Sequence, residues 1–194
     1  IARGEGDFLQ GVAVARFQKG KPVEVALSWH TGGKGIQKLA VPARPQADVW
    51  SLQKISPVSQ DECLSAGDID WDGDLDLLMG TKWLRNDGDS WKVFQIDDTR
   101  EPPDRNRLAD INGDGRLDAV VGYEIDKLAW YEQGNTATSD WVEHLISRHI
   151  VRPMSLDVAD MDMDGDIDIV VGEHNLKKPE KARLYILENI DGKG

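Results

Sequence analysis

DMDMDGDIDIVVG, residues 160–172, places an Asp at every second position across its first nine residues and then becomes apolar. Two similar stretches precede it, DIDWDGDLDLLMG at 68–80 and DINGDGRLDAVVG at 110–122. A weaker copy, RFQKGKPVEVALS at 16–28, keeps the apolar tail and has Glu24 in place of the last Asp. The chain is therefore a repeat protein whose units begin 52, 42 and 50 residues apart.

Each unit also contains a series of short apolar runs. In the second unit these are ECLSAGDI, DLLMG, KWLRND and SWKVFQI, and Gly- and Asp-rich turns surround them. This pattern predicts four strands and almost no helix. A Trp recurs near the last run of three units, at Trp50, Trp91 and Trp141, and we interpret these rings as core framework. Repeats of roughly 40 to 50 residues with four antiparallel strands are typical of propeller blades, so we predict an all-β fold, a β-propeller with about four visible blades.

The spacing of the repeats predicts one propeller region over residues 1–194. We expect its blades at roughly 1–56, 57–98, 99–147 and 148–194, the last of them without a fourth strand. An incomplete blade leaves a sheet edge unpaired. We therefore expect an arc of a larger ring, completed by further chain or by another subunit.

The acidic stretches suit Ca²⁺, which takes about six to eight oxygen ligands. Positions 1, 3, 5 and 9 would coordinate through side chains and position 7 through its backbone carbonyl, while Gly at position 6 allows the loop to fold around the ion. We predict three Ca²⁺ sites with the following residues: Asp68, Asp70, Asp72, Asp74 and Asp76; Asp110, Asn112, Asp114, Arg116 and Asp118; Asp160, Asp162, Asp164, Asp166 and Asp168. The weaker copy has Arg16, Gln18 and Gly20 at these positions, so no ion is expected there.

Two other interpretations of the acidic stretches were weighed. An EF-hand loop needs a bidentate Glu at position 12, where this chain has Met79, Val121 and Val171. Plain Asp-Gly hairpin turns remain the alternative, although clustered carboxylates repel one another without an ion.

The acidity of the chain is local. Of its 35 acidic residues, 13 lie in the three loops, and the remaining 22 nearly balance the 23 basic residues. A nucleic-acid partner is therefore not predicted, because no basic patch is available to it. The single Cys63 excludes an internal disulfide, and no apolar run approaches the roughly 20 residues of a membrane span. The first residues lack a signal-peptide pattern, so any export signal is expected elsewhere.

These stretches resemble the FG-GAP or VCBS repeats, which are related to the integrin α-subunit propeller. Three units match D-x-[DN]-x-D-G-x-x-D followed by an apolar strand, and LRNDGD and LENIDGKG resemble the ending of the third strand in that family. The resemblance implies that Ca²⁺ binds between the first two strands of a blade and that the complete ring usually has seven blades. We expect an extracellular, periplasmic or cell-surface protein.

If the acidic loops join the first two strands, other connections form the opposite face of the propeller. The residues predicted there are Trp29, His30, Lys82, Trp83, Tyr123, Glu124, Arg148, His149, Arg152, Glu173 and His174. Aromatic rings can stack on sugars and charged groups can bind hydroxyls, which favours a binding or adhesion module for carbohydrate or another extracellular ligand, including protein. The long stretch GEHNLKKPEKARL at 172–184 is expected to contribute, although its tip could simply be solvated. Packing of Trp83 and Trp130 between blades remains an alternative.

His149 and His174 suggest a second kind of function. With Glu173, Glu124 or His30 they could hold a catalytic Zn²⁺, or they could act as acid and base on a sugar. Aldos-2-ulose dehydratases and certain polysaccharide lyases are similar in being built on calcium-bearing propellers. The alternative is therefore the propeller part of a carbohydrate-active enzyme, a lyase or dehydratase, and a purely structural propeller is a third class.

A glycine-rich stretch, TGGKGIQ at 31–37, looks at first like a phosphate-binding loop. It lacks a Ser or Thr after Lys34 and the required spacing, so we interpret it as a hairpin turn.

Overall fold

A computed structural model describes residues 8–30, 34–60, 62–98 and 100–194 of the chain. Residues 31–33 of the predicted glycine-rich turn lie outside these ranges. The described strands are β1 (Leu9–Ala15), β2 (Glu24–Trp29), β3 (Ile36–Ala40), β4 (Ser51–Ser56), β5 (Ser65–Gly67), β6 (Asp76–Leu78), β7 (Lys82–Asn86), β8 (Trp91–Gln95), β9 (Pro103–Ala109), β10 (Asp118–Tyr123), β11 (Leu128–Glu132), β12 (Val142–Ser147), β13 (Pro153–Ala159), β14 (Asp168–Glu173) and β15 (Leu184–Leu187). A short 3₁₀ helix, Pro179–Lys181, lies between β14 and β15.

The strands form four antiparallel sheets in chain order. Three sheets have four strands each, β1 to β4, β5 to β8 and β9 to β12, and the fourth contains β13, β14 and β15. Within each sheet, consecutive strands pair with one another, which is the arrangement of propeller blades. The predicted fold class, all-β with blades of the propeller type, is confirmed.

The acidic stretches connect the first and second strands of three sheets. Each position-9 residue, Asp76, Asp118 or Asp168, is the first residue of the second strand of its sheet. Glu24 begins β2 in the same way, so the weaker copy occupies the same place in the first sheet. The three recurring Trp residues lie at or just before the fourth strands and are half-buried rather than enclosed.

The chain divides into two compact units, and the first ends at Gln95. Its core contains buried Phe17, Leu77 and Leu84 from both of its sheets. Trp91 packs edge-on against Phe17, with ring centroids 5.7 Å apart. The start of the last strand in one sheet is thereby joined to the β1–β2 loop of the sheet before it.

The second unit begins at Ile96 and has its own core. Val120, Trp130, Leu156 and Val171 are buried together in this core. Gly122 is needed where β10 approaches the start of β13, because a Cβ atom there would lie 2.1 Å from the carbonyl oxygen of Pro153. The backbone of the second strand of one blade therefore lies directly against the backbone of the first strand of the next, because Gly122 has no side chain.

An Asn side chain ties neighbouring sheets together in each unit. In the first unit, Asn86 Nδ2 donates to the carbonyl of Phe17 at 2.9 Å and to that of Leu75 at 3.2 Å. In the second unit, Asn189 Nδ2 donates to the carbonyl of Ile111 at 2.8 Å. Both acceptors on the preceding sheet are the second residue of that sheet's loop. The repeat therefore preserves a polar bridge as well as an apolar core.

We predict that Asn86→Ala lowers the free energy of unfolding by about 2 to 3 kcal/mol, because the substitution deprives buried carbonyls of their donor. The measurement is urea-induced unfolding followed by circular dichroism. Asn135→Ala removes an exposed amide instead and should change stability by less than about 0.5 kcal/mol. Equal effects of the two substitutions would contradict the bridging role of Asn86.

Candidate functional site

The last Asp of each acidic loop is a buried hydrogen-bond acceptor. Asp76 accepts the N–H of Ile69 at 2.9 Å on Oδ2 and the N–H of Asn86 at 2.8 Å on Oδ1. Asp118 and Asp168 make the corresponding pair of bonds, to the second residue of the loop and to Gln133 and Asn189 respectively, just beyond the third strand. Burial raises the pKa of Asp76 to about 7 and that of Asp118 to about 6, despite these bonds. Position 9 thus fastens the loop to its sheet in addition to any role in ligation.

The first Asp of each loop closes the turn. Asp68 Oδ2 accepts the N–H of Gly73 at 3.1 Å, and Asp110 and Asp160 accept from the corresponding glycines. These position-6 glycines have φ angles of 94°, 89° and 102°, in the region that L side chains avoid. The glycine predicted from the sequence is therefore required by the backbone.

A second left-handed residue occurs at position 4 of each loop, and the sequence analysis did not identify it. Trp71, Gly113 and Met163 have φ angles of 62°, 70° and 67°. Trp71 and Met163 are also exposed, at 58 % and 90 %. A left-handed backbone costs a non-glycine residue about 1 to 2 kcal/mol, so these two loops hold a strained conformation. In the sequence, Gly113 at position 4 of the middle loop was the one indication that this position needs a left-handed backbone.

Two of the loops bring carboxylates to the spacing of a metal site. One oxygen from each of Asp68, Asp70 and Asp76 lies within 4.8 Å of the others, and Asp160, Asp162 and Asp168 form an equivalent group. Two ligands on opposite sides of a calcium ion are separated by about twice the 2.3 to 2.6 Å ligand distance. The spacing of these oxygens fits that ion.

Several oxygens in these loops also lack a hydrogen-bond donor. Asp68 Oδ1, Asp70 Oδ1 and Asp166 Oδ1 are buried and accept no hydrogen bond from the described residues. Burial, followed by repulsion from Asp72, raises the pKa of Asp70, and burial together with Asp164 raises that of Asp166 to about 6. A cation would satisfy these oxygens and relieve the repulsion, so the donor set fits a hard divalent ion.

The middle loop differs in its side chains. Asn112 supplies an amide in place of a carboxylate, and its Oδ1 accepts the N–H of Asp114 at 3.2 Å. The Arg116 guanidinium contacts Asp114 and donates to the carbonyl of Gln133 at 3.0 Å. The position-7 side chain is a cation that pairs with the predicted ligand Asp114 and cannot coordinate a metal itself, which leaves its carbonyl as the expected ligand.

The opposite end of β10 and β14 carries a cleft of about 490 Å³ within the second unit. Three predicted ligand-face residues line it, Glu124, Arg152 and His174. The other lining residues, which the sequence analysis did not assign to a site, are Ile125, Asp126, Val151, Asn175, Leu176 and Lys177. A volume of this size is typical of small-molecule sites.

The wall of the cleft includes a residue, Arg152, with a left-handed backbone conformation. Arg152 has a φ of 43°, and its N–H donates to Asp126 Oδ1 at 3.0 Å. The N–H of His174 donates to the carbonyl of Arg152 at 3.0 Å. This bond joins the segment 174–177 of the cleft lining to the segment 151–152. Such strain at a non-glycine residue tends to occur at ligand sites.

Three other predicted ligand-face residues are enclosed. Trp83 and Tyr123 are both 0 % exposed, and Trp83 stacks on Phe94 with centroids 5.1 Å apart. The Glu173 side chain is 1 % exposed and accepts hydrogen bonds from Val151, Arg183 and Tyr185. These three side chains are framework, and the expectation that Trp83 and Tyr123 stack on a ligand needs correcting because neither ring reaches the surface.

The remaining predicted ligand-face residues lie outside the cleft. In the first unit, Trp29 donates from Nε1 to Gln37 Oε1 at 2.7 Å, the His30 ring stacks on Phe8, and Lys82 is half-buried. In the second unit, Arg148 pairs with Glu101 at 3.2 Å and His149 is exposed.

Histidine does not enter the candidate metal groups. Among the residues that the structure describes, every group of three or more His, Cys, Asp or Glu side chains at metal-binding spacing contains carboxylates only. Glu173 is already saturated by its donors, so the proposed pairing of His149 and His174 with it has no geometric support.

Antiparallel four-stranded sheets with acidic loops between their first and second strands define a repeat protein of the β-propeller class. Residues 110–171 match the family model described as the FG-GAP-like repeat, which confirms the resemblance for the segment from the middle loop through the third. No curated protein matches the chain. In the described part of the chain, no helix has the length and apolar character needed to cross a membrane.

The Glu173 carboxyl should make the stability of the fold depend on pH. Burial acts to raise the pKa of its carboxyl, but hydrogen bonds from Arg183, Val151 and Tyr185 lower it to about 2. A carboxyl with a depressed pKa stabilises the fold above its unfolded value near 4.5, and that stability is lost as the pH falls toward about 2.

We therefore predict that Glu173→Gln destabilises the chain at neutral pH and that its deficit relative to wild type shrinks below about pH 4.5. Urea midpoints measured across this range test the prediction. Glu180→Gln, an exposed change in the same connection, should show no such dependence. A deficit that stays constant with pH would contradict the role assigned to the ionised carboxylate.

Proposed function

We propose that this chain is a calcium-stabilised propeller module that binds a carbohydrate or a related polar ligand in the cleft lined by Glu124, Arg152 and His174. The observation that carries the proposal is the cleft itself, which gathers charged side chains from three connections at one end of the blades. The acidic loops repeat and have a structural character, whereas the connections around the cleft differ in length and composition. Recognition is therefore assigned to the cleft end and stability to the loop end.

Calcium is proposed for all three acidic loops. The unsatisfied oxygens of Asp68 and Asp70, which belong to one of the metal-spaced groups, support this assignment most directly. Loops of this kind in extracellular modules bind Ca²⁺ with Kd values on the order of 10⁻⁴ to 10⁻³ M. Such affinity suits a compartment rich in calcium, so we place the protein outside the cell, in the periplasm or at the cell surface.

The open edge of the fourth sheet is proposed as the place where a further strand completes the blade. Leu184 and Ile186 of β15 are 70 % and 57 % exposed, and a cavity of about 100 Å³ beside Ile111 and Leu187 lies in the same region. In the first unit, Trp91 at the start of the fourth strand packs on Phe17, which corresponds to Ile111. We propose that a strand of another subunit pairs with this edge and brings an aromatic ring to the cavity.

Calcium should raise the melting temperature, because an ion that binds only the folded state stabilises it by mass action. Millimolar CaCl₂ is expected to raise the midpoint by several degrees, and excess EGTA should reverse the change. Asp160→Asn should reduce the response, while Asp89→Asn, an exposed change outside the loops, should leave it intact. Melting curves identical in CaCl₂ and EGTA would contradict the calcium proposal.

Ligand binding is tested by a glycan array followed by calorimetry on the best binder. His174→Ala and Glu124→Gln should each weaken binding by roughly tenfold, the value of one good hydrogen bond to a charged group. His149→Ala removes another exposed histidine, outside the cleft, and should bind as wild type does. No glycan binding, or equal effects of His174→Ala and His149→Ala, would contradict the assignment of the cleft.

A further inference from the structure

The connection between β14 and β15 is rich in basic residues, although the chain as a whole is acidic. The chain carries a net charge of −12, but residues 174–183 contain Lys177, Lys178, Lys181 and Arg183 against a single acidic residue, Glu180. Lys177 lines the cleft, and Lys178 and Lys181 are exposed nearby in sequence. An anion approaching this connection meets cations that the net charge of the chain does not suggest, although Glu124 and Asp126 of the facing turn also line the cleft.

Some of these cations are already neutralised inside the fold. Arg183 pairs with Glu173 at 3.2 Å, and Arg148 pairs with Glu101 at the same distance. In contrast, the side chains of Arg152 and Lys177 make no ion pair with the described residues, and both are exposed at the cleft. Two cations therefore remain available to a ligand.

The backbone holds Arg152 in a defined place. Its left-handed conformation is clamped by the Asp126 carboxylate on the N–H and by the His174 N–H on the carbonyl. The backbone fixes where this side chain leaves the cleft wall, and its exposed guanidinium can engage a carboxylate through two parallel hydrogen bonds. Glu124 and Asp126 on the facing turn are acceptors, and they suit hydroxyl donors on the same ligand.

The lining also argues against a site that depends on aromatic stacking. Apart from the His174 imidazole, no aromatic ring lines the cleft among the described residues, and its apolar side chains are Ile125, Val151 and Leu176. A neutral sugar that binds mainly by stacking on aromatic rings would make few favourable contacts in this cleft. Charge and hydrogen bonding are the interactions that this cleft offers.

We infer that the cleft is selective for a saccharide that bears a carboxylate, with Arg152 and Lys177 binding the carboxylate and with Glu124 and Asp126 accepting from hydroxyls. This inference rests on the proposed function, since it names the ligand class of the same site. Arg152 is the residue that determines specificity for the acid, and Lys177 contributes long-range attraction.

The test compares trigalacturonic acid with its methyl ester, which keeps the shape and the hydroxyls but removes the charge. By calorimetry on the calcium-loaded chain, the acid should bind at least tenfold more tightly than the ester at low salt. Arg152→Asn should abolish that preference, and Asn tolerates the left-handed backbone, so the clamp is retained. Lys177→Gln should weaken binding of the acid and reduce its salt dependence, whereas Lys193→Gln, which removes an exposed charge of the same unit outside the cleft lining, should do neither.

The outcomes separate the two proposals. Equal binding of acid and ester, or a preference that survives Arg152→Asn, overturns the inference and leaves a carbohydrate site standing. No binding of either form, together with a negative glycan array, overturns the proposed function itself. A preference for the acid that Arg152→Asn removes, in a variant with unchanged melting temperature, supports both.

Discussion

A buried carboxylate that accepts two backbone N–H groups holds each acidic loop to its sheet. Asp76, Asp118 and Asp168 each join the second loop residue to a residue at or just beyond the end of the third strand of the same sheet. Loss of this acceptor would leave two donors unsatisfied in a site with almost no access to water. The first sheet manages without the arrangement, since Glu24 pairs with Lys38 at 3.0 Å instead. In the loop that lacks the acidic residues, an ion pair therefore stands in place of the two backbone hydrogen bonds to a buried Asp.

The parts of the fold that the sequence predicted are those set by local rules. Alternating carboxylates, a glycine at position 6 and a following apolar run all belong to one short segment, and the structure confirms loops joining first and second strands. Strand order followed from the repeat, because consecutive antiparallel strands pair with one another. The framework Trp residues were located correctly at the fourth strands, but Trp50 and Trp141 use Nε1 to bind the carbonyls of Pro45 and Ala137 and remain half-buried.

Burial on the opposite face could not be predicted in the same way. Trp83 and Tyr123 looked available because both adjoin connections, yet both are enclosed. Which side of a strand end faces solvent depends on packing against residues distant in sequence, and one sequence without its neighbours does not contain that information. Glu173 is the same case, since the donors from Val151 and Arg183 come from separate segments. The long stretch 172–184, which was expected from its length to contribute to a site, supplies part of the cleft lining through residues 174–177.

The cleft depends on a backbone contact that lies next to its charged residues in sequence. Because Gly122 lacks a side chain, β10 can approach Pro153 at the start of β13. That approach sets the turn carrying Glu124 and Asp126 beside Arg152, where the Asp126 carboxylate reaches the Arg152 N–H. A side chain at residue 122 would push the two strands apart, since its Cβ would lie 2.1 Å from a carbonyl oxygen. The packing between two blades of the second unit therefore also sets the geometry of the cleft. In this way a repetitive scaffold positions a cleft whose residues are not repeated from blade to blade.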